Sequence, residues 1–591
     1  HLPAWCGVRN AVSIASLLRR GLPIAVVAVF IAAPLVWALN GLRMRTPPAA
    51  VESQAISAAL DVAGIVSEGT PPWRMLALGR HTTGPASLLG ALTAWFVSAG
   101  GCAPLGATRL TAWLLVLVAI VFAAVATGRA AGRLDPRVLP PRVAAGIQNL
   151  ALCAGVAAAV ALALCPWLLN AAMTYGTAGP VAFCTAATLV LYQCNRRRDT
   201  AWSRLDLALV LIVSILAQAE WGLAWMPVVI AALIVNAALR HGMRDGIADA
   251  LTAAGVVALA AFWRQDLWLG VENSSAFAFV VNGLLLVGGV TWLFWLRRTA
   301  TRRRALLALS ISIVAFAIWW LGSGENHTVV AAAVRGVRAM PADARQLYLR
   351  TVLQQQCAGS LPALALLGGL ALFGTIMLLR SQPGIAVLIV GPVLLLRYRL
   401  VPERAALTSL IVILSIPIGC AVAVLAMWLH AVATQWIARA RAAWLVRRGA
   451  LIAGACAWLI VALYGLLLLH GALPRAARNF EPGTARAVPM LDPTRSLWRA
   501  IDAIAAAVPP SARVSYTPDQ HPFSRFTLDA VARARGWRWQ LVPWPGMNTA
   551  PVPAVADYFV VLGPIVAGGG WFHGDHLVEH CNRQIALLDN D

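Results

Sequence analysis

The sequence predicts an all-α polytopic membrane protein that ends in a small α/β domain outside the cytoplasm. Of its 591 residues, 60% are hydrophobic and only 12% are charged, whereas an ordinary soluble domain has roughly 25% charged residues. Apolar runs of roughly 18 to 23 residues recur along most of the chain, and each is long enough to cross a bilayer as a helix. We therefore expect this chain to fold in lipid.

About thirteen apolar runs are predicted to span the membrane, although those near residues 205 and 384 are short. The first run follows three arginines, as in a signal peptide, but it is long and no small-x-small cleavage site follows it, so we interpret it as an uncleaved anchor. In chain order the runs are Leu22–Leu39, Thr108–Thr127, Val143–Cys165, Tyr175–Gln193, Leu205–Ala219, Gly222–Leu239, Ala250–Phe262, Phe277–Leu296, Ala305–Leu321, Leu361–Leu379, Gly384–Leu396, Ala405–Leu429 and Leu451–His470.

The arginines predict the topology. All 47 basic residues are arginines, and basic connectors between membrane spans face the cytoplasm. Here they follow most of the inward runs, in segments 129–142, 196–204, 240–244, 297–304 and 439–448. This alternation places the N-terminus inside, and it places the C-terminal residues and two long loops, 40–107 and 322–360, outside. The formal net charge of +23 is therefore interpreted mainly as a topology signal and not as a sign of nucleic-acid binding.

The composition of the sequence changes beyond Gly471, where proline, aspartate and arginine become frequent and apolar runs shorten to strand length. Residues 512–516 and 558–562 are predicted to form buried strands. Residues 523–536 are predicted to form an amphipathic helix that ends at Gly536. We therefore divide the chain into a transmembrane domain, residues 1–470, and an extracytoplasmic α/β domain, residues 471–591.

Few acidic residues of the membrane domain face the outer side in this topology, and Glu52 is the best placed of them for chemistry. It opens a helical pattern over Glu52–Ile65, in which positions 56, 59, 60 and 63 are apolar. Such an acid lies at the membrane surface at a helix start, where it either takes part in catalysis or only complements the helix dipole. The other external acids are Asp61, Glu68, Glu220, Asp266, Glu272, Glu325, Asp343 and Glu403.

Short motifs follow one another along the membrane domain: Val51-Glu52-Ser53, Arg80-His81-Thr82-Thr83-Gly84-Pro85, an apolar run over 86–97, Gly100-Gly101 and Thr108-Arg109-Leu110. Later come Cys165-Pro166-Trp167, Tyr175, Gln218-Ala219-Glu220-Trp221 and Arg397-Tyr398-Arg399-Leu400-Val401-Pro402. In order and spacing this series resembles the lipid-linked sugar transferases of the GT-C superfamily, in particular the protein O-mannosyltransferase and aminoarabinose transferase branch. The chain departs from that pattern at Ser53 in place of a second acid, at Thr82-Thr83 in place of two prolines, and at Tyr175, where a carboxylate is common.

The resemblance implies a GT-C-like fold for residues 1–470 and transfer of a sugar, with inversion, from a polyprenyl-phosphate donor to an acceptor hydroxyl. The site would face outward from a bacterial cytoplasmic membrane, with Glu52 as general base and arginines around the leaving phosphate. The acceptor would be a lipid, a glycan or a protein, and no nucleic acid partner is expected. No cofactor is implied; a divalent metal is compatible with the family but not indicated by the sequence. The candidate substrate-binding residues are Arg80, His81, Glu220, Arg397, Tyr398 and Arg399.

Other interpretations stay open. Arg397 and Arg399 are also placed for interfacial snorkelling, and Glu220 for capping a turn. A surface-polysaccharide ligase or polymerase would use the arginine-rich loop 322–360. A transporter of lipid-linked sugars usually shows internal repeats, which we do not find, and a non-catalytic membrane scaffold is favoured by the missing second acid.

Overall fold

The structure, a computed structural model, describes residues 21–37, 87–98, 100–137, 147–176, 178–195, 361–397, 403–439, 496–516, 525–542 and 557–560, with short pieces and single positions between them. The described helices of the membrane domain are α1 (Gly21–Trp37), α2 (Ser87–Ser98), α3 (Pro104–Ala131), α4 (Ile147–Ala163), α5 (Pro166–Met173), α6 (Ala178–Asn195), α7 (Leu361–Ser381), α8 (Pro383–Arg397) and α9 (Glu403–Arg439).

The described helices support a multi-pass membrane protein. Within the described residues, α3 and the stretch Leu407–Val432 of α9 are long and apolar enough to cross a bilayer. Helices α4 and α5 are bent by 64° relative to each other, and they make a third span if the pair is counted as one broken helix. Helix α1 and parts of α6 and α7 are apolar but shorter. The number of spans stays a prediction, because the runs between residues 205 and 321 lie outside the described residues apart from Val228 and Ala232.

Helix α3 lies in the middle of the described bundle and packs against α4, α5, α6 and α9. Small residues bring these helices close together: a Cβ on Gly128 of α3 would lie 2.7 Å from the carbonyl oxygen of Ala151, and one on Gly419 of α9 would lie 2.8 Å from that of Ala154. In lipid the hydrophobic effect does not drive helices together, so close packing of this kind is a main source of their association.

Hydrogen bonds join several helices at the arginine-rich end of the bundle. Arg133 donates to the carbonyl oxygen of Gln193 at 2.6 Å, and the Gln193 amide donates to the Gln382 side chain at 3.3 Å. Gln382 in turn donates to the carbonyl oxygen of Ala130 at 2.7 Å. The end of α3, the end of α6 and the α7–α8 junction therefore meet at one end of the bundle, which the predicted topology places in the cytoplasm.

Helix α7 crosses α9 at Gly374, beside Pro417, which lies inside α9. A Cβ on Gly374 would overlap the carbonyl oxygen of Pro417 and lie 2.8 Å from its Cα. We expect Gly374→Ala to lower the free energy of unfolding by about 1–3 kcal/mol, because the two backbones would have to separate. The midpoint of denaturant unfolding in detergent measures this effect.

Gly369 provides the matched control on the same helix, since a Cβ there meets nothing described within 4 Å. Gly369→Ala is expected to be neutral or to stabilise the helix by about 0.5–1 kcal/mol. Equal stability of Gly374→Ala and Gly369→Ala would show that α7 and α9 do not approach each other closely at Pro417.

The described part of the C-terminal segment contains helices α10 (Ser496–Ala507) and α11 (Arg525–Ala534) and strands β1 (Arg513–Tyr516), β2 (Gln540–Val542) and β3 (Tyr558–Val560). The strands form a parallel sheet in the order β2-β1-β3. A strand is observed at the first predicted position, with Val514 buried but Arg513 exposed, and the amphipathic helix is observed as α11. Gly536 after α11 has a φ of 74°, a value that favours glycine. The second strand is observed over 558–560. The domain boundary at residue 470 and the extracytoplasmic location stay predictions.

Candidate catalytic site at the Glu52 carboxylate

Glu52 lies in a helical stretch, as the sequence predicted, and its described neighbours Ser53, Ile56, Ser57, Ala59 and Leu60 are helical too. The residue is 1% exposed. Nη1 of Arg109 lies 2.9 Å from Oε1 of Glu52 and donates a hydrogen bond to Oε2 of Glu52 at 3.0 Å. The backbone N–H of Tyr175 donates to Oε2 at 2.8 Å. Glu52 thus forms a buried ion pair whose carboxylate accepts hydrogen bonds from two distant parts of the chain.

Arg109 enters the site from the beginning of α3, and its side chain is 3% exposed. Nη1 also donates to the carbonyl oxygen of Met173 at 3.0 Å, at the C-terminal end of α5. An arginine in an apolar span needs an acceptor or a counter-charge, because hydrocarbon solvates neither its charge nor its N–H groups. Arg109 therefore connects three elements: the Glu52 helix, α3 and the end of α5.

Tyr175 forms hydrogen bonds through both its backbone N–H and its side-chain hydroxyl. Its hydroxyl lies 2.7 Å from Oγ1 of Thr93 in α2, Thr93 donates to Thr111 of α3 at 3.2 Å, and Thr111 donates to the carbonyl oxygen of Ala107 at 2.8 Å. Because the single hydroxyl proton of Thr93 goes to Thr111, the Tyr175 hydroxyl donates to Thr93. This buried chain fixes the turn between α5 and α6, and with it the N–H that contacts Glu52.

The Glu52 end of the bundle lies opposite the end that carries Gln382. Arg109 and Ala130 are both in α3, about 30 Å apart at 1.5 Å per residue. The C-terminal segment meets the membrane domain near Glu52, since Nε1 of Trp498 donates to the carbonyl oxygen of Met44 at 3.3 Å. The first loop and the C-terminal segment therefore share one side, as the predicted topology requires.

The remaining predicted site residues are not brought together by described contacts. Arg397 is the last residue of α8, a helix that begins beside Gln382 and so runs towards the end of the bundle where Glu52 lies. Arg80, His81, Glu220, Tyr398 and Arg399 lie outside the described residues. In the described part of the chain, no group of three His, Cys, Asp or Glu side chains is arranged to hold a metal ion.

The sequence pointed to Arg109 and Tyr175 as members of a motif series, but it did not predict that they contact Glu52. A signal for Arg109 was present, because it is the one charged residue at the start of an apolar run that extends to Thr127. An unpaired charge at that depth predicts a partner in another segment. For Tyr175 the contact is made by its backbone N–H. Every residue except proline has this group, so the residue type does not predict the contact.

Chemically, the site holds one carboxylate beside one guanidinium in a nearly water-free environment. A carboxylate is a group that can take a proton from an attacking hydroxyl, and the guanidinium supplies the opposite charge that a buried carboxylate needs. The same geometry also suits a purely structural role, because both carboxylate oxygens already lie against hydrogen-bond donors. Together, the apolar helices and this buried pair define a polytopic α-helical membrane protein with an acidic site at the end of the bundle that meets the C-terminal segment.

No model of a known protein family matches the chain, and no curated protein matches it. Among solved structures, the chain is similar to the oligosaccharyltransferase AglB from Archaeoglobus fulgidus in complex with an inhibitory peptide and a dolichol-phosphate, with 12% identity and a TM-score of 0.42 over 88% of this chain and 63% of that one. The apo form of the Archaeoglobus fulgidus oligosaccharyltransferase gives 12% identity and a TM-score of 0.43 over 89% of this chain and 64% of that one. The chain thus spans less than two thirds of either archaeal structure.

The chain is also similar to ArnT from Cupriavidus metallidurans bound to undecaprenyl phosphate, with 14% identity and a TM-score of 0.43 over 87% of this chain and 88% of that one. The resemblance predicted from the motif series thus reappears as a similarity to these solved structures. Identity and TM-score are low in every case, and the similarity does not by itself establish the activity of this chain.

Proposed function

We propose that the protein is an inverting glycosyltransferase that transfers a sugar from a polyprenyl-phosphate donor to an acceptor hydroxyl at the outer face of a bacterial cytoplasmic membrane. The observation that supports this proposal best is the buried pair of Glu52 and Arg109, 2.9 Å apart, at the end of the bundle that meets the C-terminal segment. A charge pair at membrane depth is expensive to bury and is by default a functional candidate. The donor class rests on the motif order of the membrane domain.

In the proposed reaction the acceptor oxygen attacks the anomeric carbon of the sugar and forms the new glycosidic bond. The bond between the anomeric carbon and the phosphate oxygen breaks, and the lipid phosphate leaves with the electron pair. Glu52 takes the proton of the attacking hydroxyl as general base. One displacement at the anomeric carbon inverts its configuration.

The other candidate residues have supporting roles in this proposal. The lipid phosphate carries negative charge as it leaves, and Arg80, Arg397 and Arg399 are proposed to stabilise it, since arginine binds phosphate in a bidentate fork. His81 is proposed to orient the acceptor, and Glu220 and Tyr398 to contact the sugar or the acceptor. Arg109 is a positioning residue, because its guanidinium holds the Glu52 carboxylate.

A non-catalytic membrane scaffold is the second candidate, and one observation favours it. Both oxygens of Glu52 lie against the Arg109 guanidinium, and Oε2 also accepts the Tyr175 N–H, an arrangement that would serve equally well to join the first loop to α3 and α5.

Reconstitution distinguishes these candidates. The full-length protein in liposomes is given radiolabelled mannose, glucose or aminoarabinose on polyprenyl phosphate, with an extract of bacterial envelope as the source of acceptors. We expect label to move to an acceptor from at least one donor, with release of one polyprenyl phosphate per sugar and none in protein-free liposomes. Transfer of preassembled chains instead of single sugars would indicate a polysaccharide ligase. No transfer from any donor would contradict the proposal and favour the non-catalytic membrane scaffold.

A further inference from the structure

Helix α11 of the C-terminal segment contacts the first loop on both sides of Glu52 in sequence. Oγ1 of Thr527 donates to the carbonyl oxygen of Pro48 at 2.9 Å, four residues before Glu52. Oγ of Ser57, five residues after Glu52, donates to Oδ2 of Asp529 at 3.0 Å. A pair of hydrogen bonds from one helix thus brackets the candidate base.

Apolar packing joins the same elements. Ala530 of α11 is fully buried and packs in a cluster with Ile56, Ala59, Leu89 and Tyr175. Ile56 lies one helical turn after Glu52, so it shares a face of that helix with the carboxylate. Helix α11 also contacts α3, the helix that supplies Arg109.

The other face of α11 is anchored in the C-terminal segment. Leu528, Val531 and Ala532 are buried in a second cluster, together with Val514 of β1 and Trp539. Helix α11 therefore lies between its own sheet and the Glu52 helix. Asp529 also pairs with Arg533 at 3.0 Å, and that pair is partly exposed, so it contributes little to stability by itself.

We propose that helix α11 is part of the Glu52 site and that Thr527 and Asp529 are positioning residues that hold the Glu52 helix against Arg109. This inference rests on the proposed function only for the consequence in catalysis; the positioning itself is a property of the fold. A general base must lie within hydrogen-bond reach of the proton that it takes, so its helix has to be fixed. The C-terminal segment then acts on the reaction through the position of the carboxylate.

Hydrogen–deuterium exchange on the full-length protein in nanodiscs tests the positioning directly. In Asp529→Ala we expect the amides of residues 49–60 to exchange about tenfold faster, because a hydrogen bond to a charged acceptor is lost. Asp529→Asn removes the same charge but keeps an oxygen acceptor for Ser57, so its exchange is expected to stay near that of the wild type. Ser57→Ala removes the same bond from the other side, leaves α11 intact, and is expected to match Asp529→Ala.

Asp502 provides the control for charge loss in the C-terminal segment, since it pairs with Arg535 at 2.7 Å and makes no described contact with the first loop. Asp502→Ala should leave exchange at residues 49–60 unchanged. Unchanged exchange in both Asp529→Ala and Ser57→Ala would overturn the inference, whether or not the protein transfers sugar.

Kinetics test the consequence for the reaction. In a protein that transfers sugar, Asp529→Ala is expected to lower kcat about tenfold with the KM for the donor unchanged, and Asp529→Asn to restore it. Faster exchange with unchanged kcat would overturn the positioning role. Faster exchange in a protein that transfers no sugar would remove the proposed function and leave α11 as the element that holds the Glu52 helix.

Discussion

Glu52→Gln is expected to lower the rate of sugar transfer by about 10²–10⁴-fold, the usual contribution of a positioned general base. Glutamine has nearly the shape of glutamate and keeps an oxygen that can accept the Tyr175 N–H, but it cannot take the proton of an attacking hydroxyl. The effect should appear in kcat, because the proton is transferred in the transition state. Single-turnover transfer in liposomes, expressed per folded molecule, measures it.

Two further variants define what that result means. Glu52→Asp keeps the carboxylate but shortens the side chain by one methylene, so it should retain part of the activity. Asp502→Asn neutralises an acid whose side chain is 57% exposed, and it should transfer sugar at the wild-type rate. A Glu52→Gln protein that is folded and as fast as Asp502→Asn would exclude Glu52 as the base.

Arg109→Leu is expected to lower the free energy of unfolding by about 3–5 kcal/mol, because it leaves the Glu52 carboxylate buried beside no guanidinium. The side chains of the pair are 3% and 0% exposed, so water does not replace the lost partner. Denaturant unfolding in nanodiscs, followed by tryptophan fluorescence, measures the change. The exposed Arg137, in the turn that follows the C-terminal end of α3, is the control, and Arg137→Leu should change stability by no more than about 0.5 kcal/mol.

The double variant Glu52→Gln/Arg109→Leu separates the cost of an unpaired charge from the cost of an altered fold. It removes both charges together, and replacing a buried pair by neutral groups is often close to neutral in stability. We therefore expect it to be more stable than Arg109→Leu alone, with a coupling of about 0.5–3 kcal/mol between the two sites. Additive effects would mean that Glu52 and Arg109 do not form a buried pair.

Local features of the chain were predictable because their causes are local. Apolar runs with arginines at their ends indicate helices in lipid, since the bilayer sets both the length of a span and the place of its charges. The described helices α1, α3, α6, α7 and α9 lie on predicted runs. The bend between α4 and α5 at Cys165-Pro166 has a local cause as well, because proline lacks the N–H that would continue the helix. Gly536 ends α11 for an equally local reason, its positive φ.

The amino-acid sequence by itself therefore determined a helical membrane protein, the helical state of Glu52 and the position where α11 ends. Only the tertiary structure decided which side chains Glu52 meets. Arg109 lies 57 positions from it and Tyr175 lies 123 positions from it, and Asp529 lies 472 positions from Ser57. Periodicity and hydropathy report on neighbours within a few turns of chain, whereas contacts between such distant segments depend on how helices pack side by side, and packing is a property of the assembled bundle.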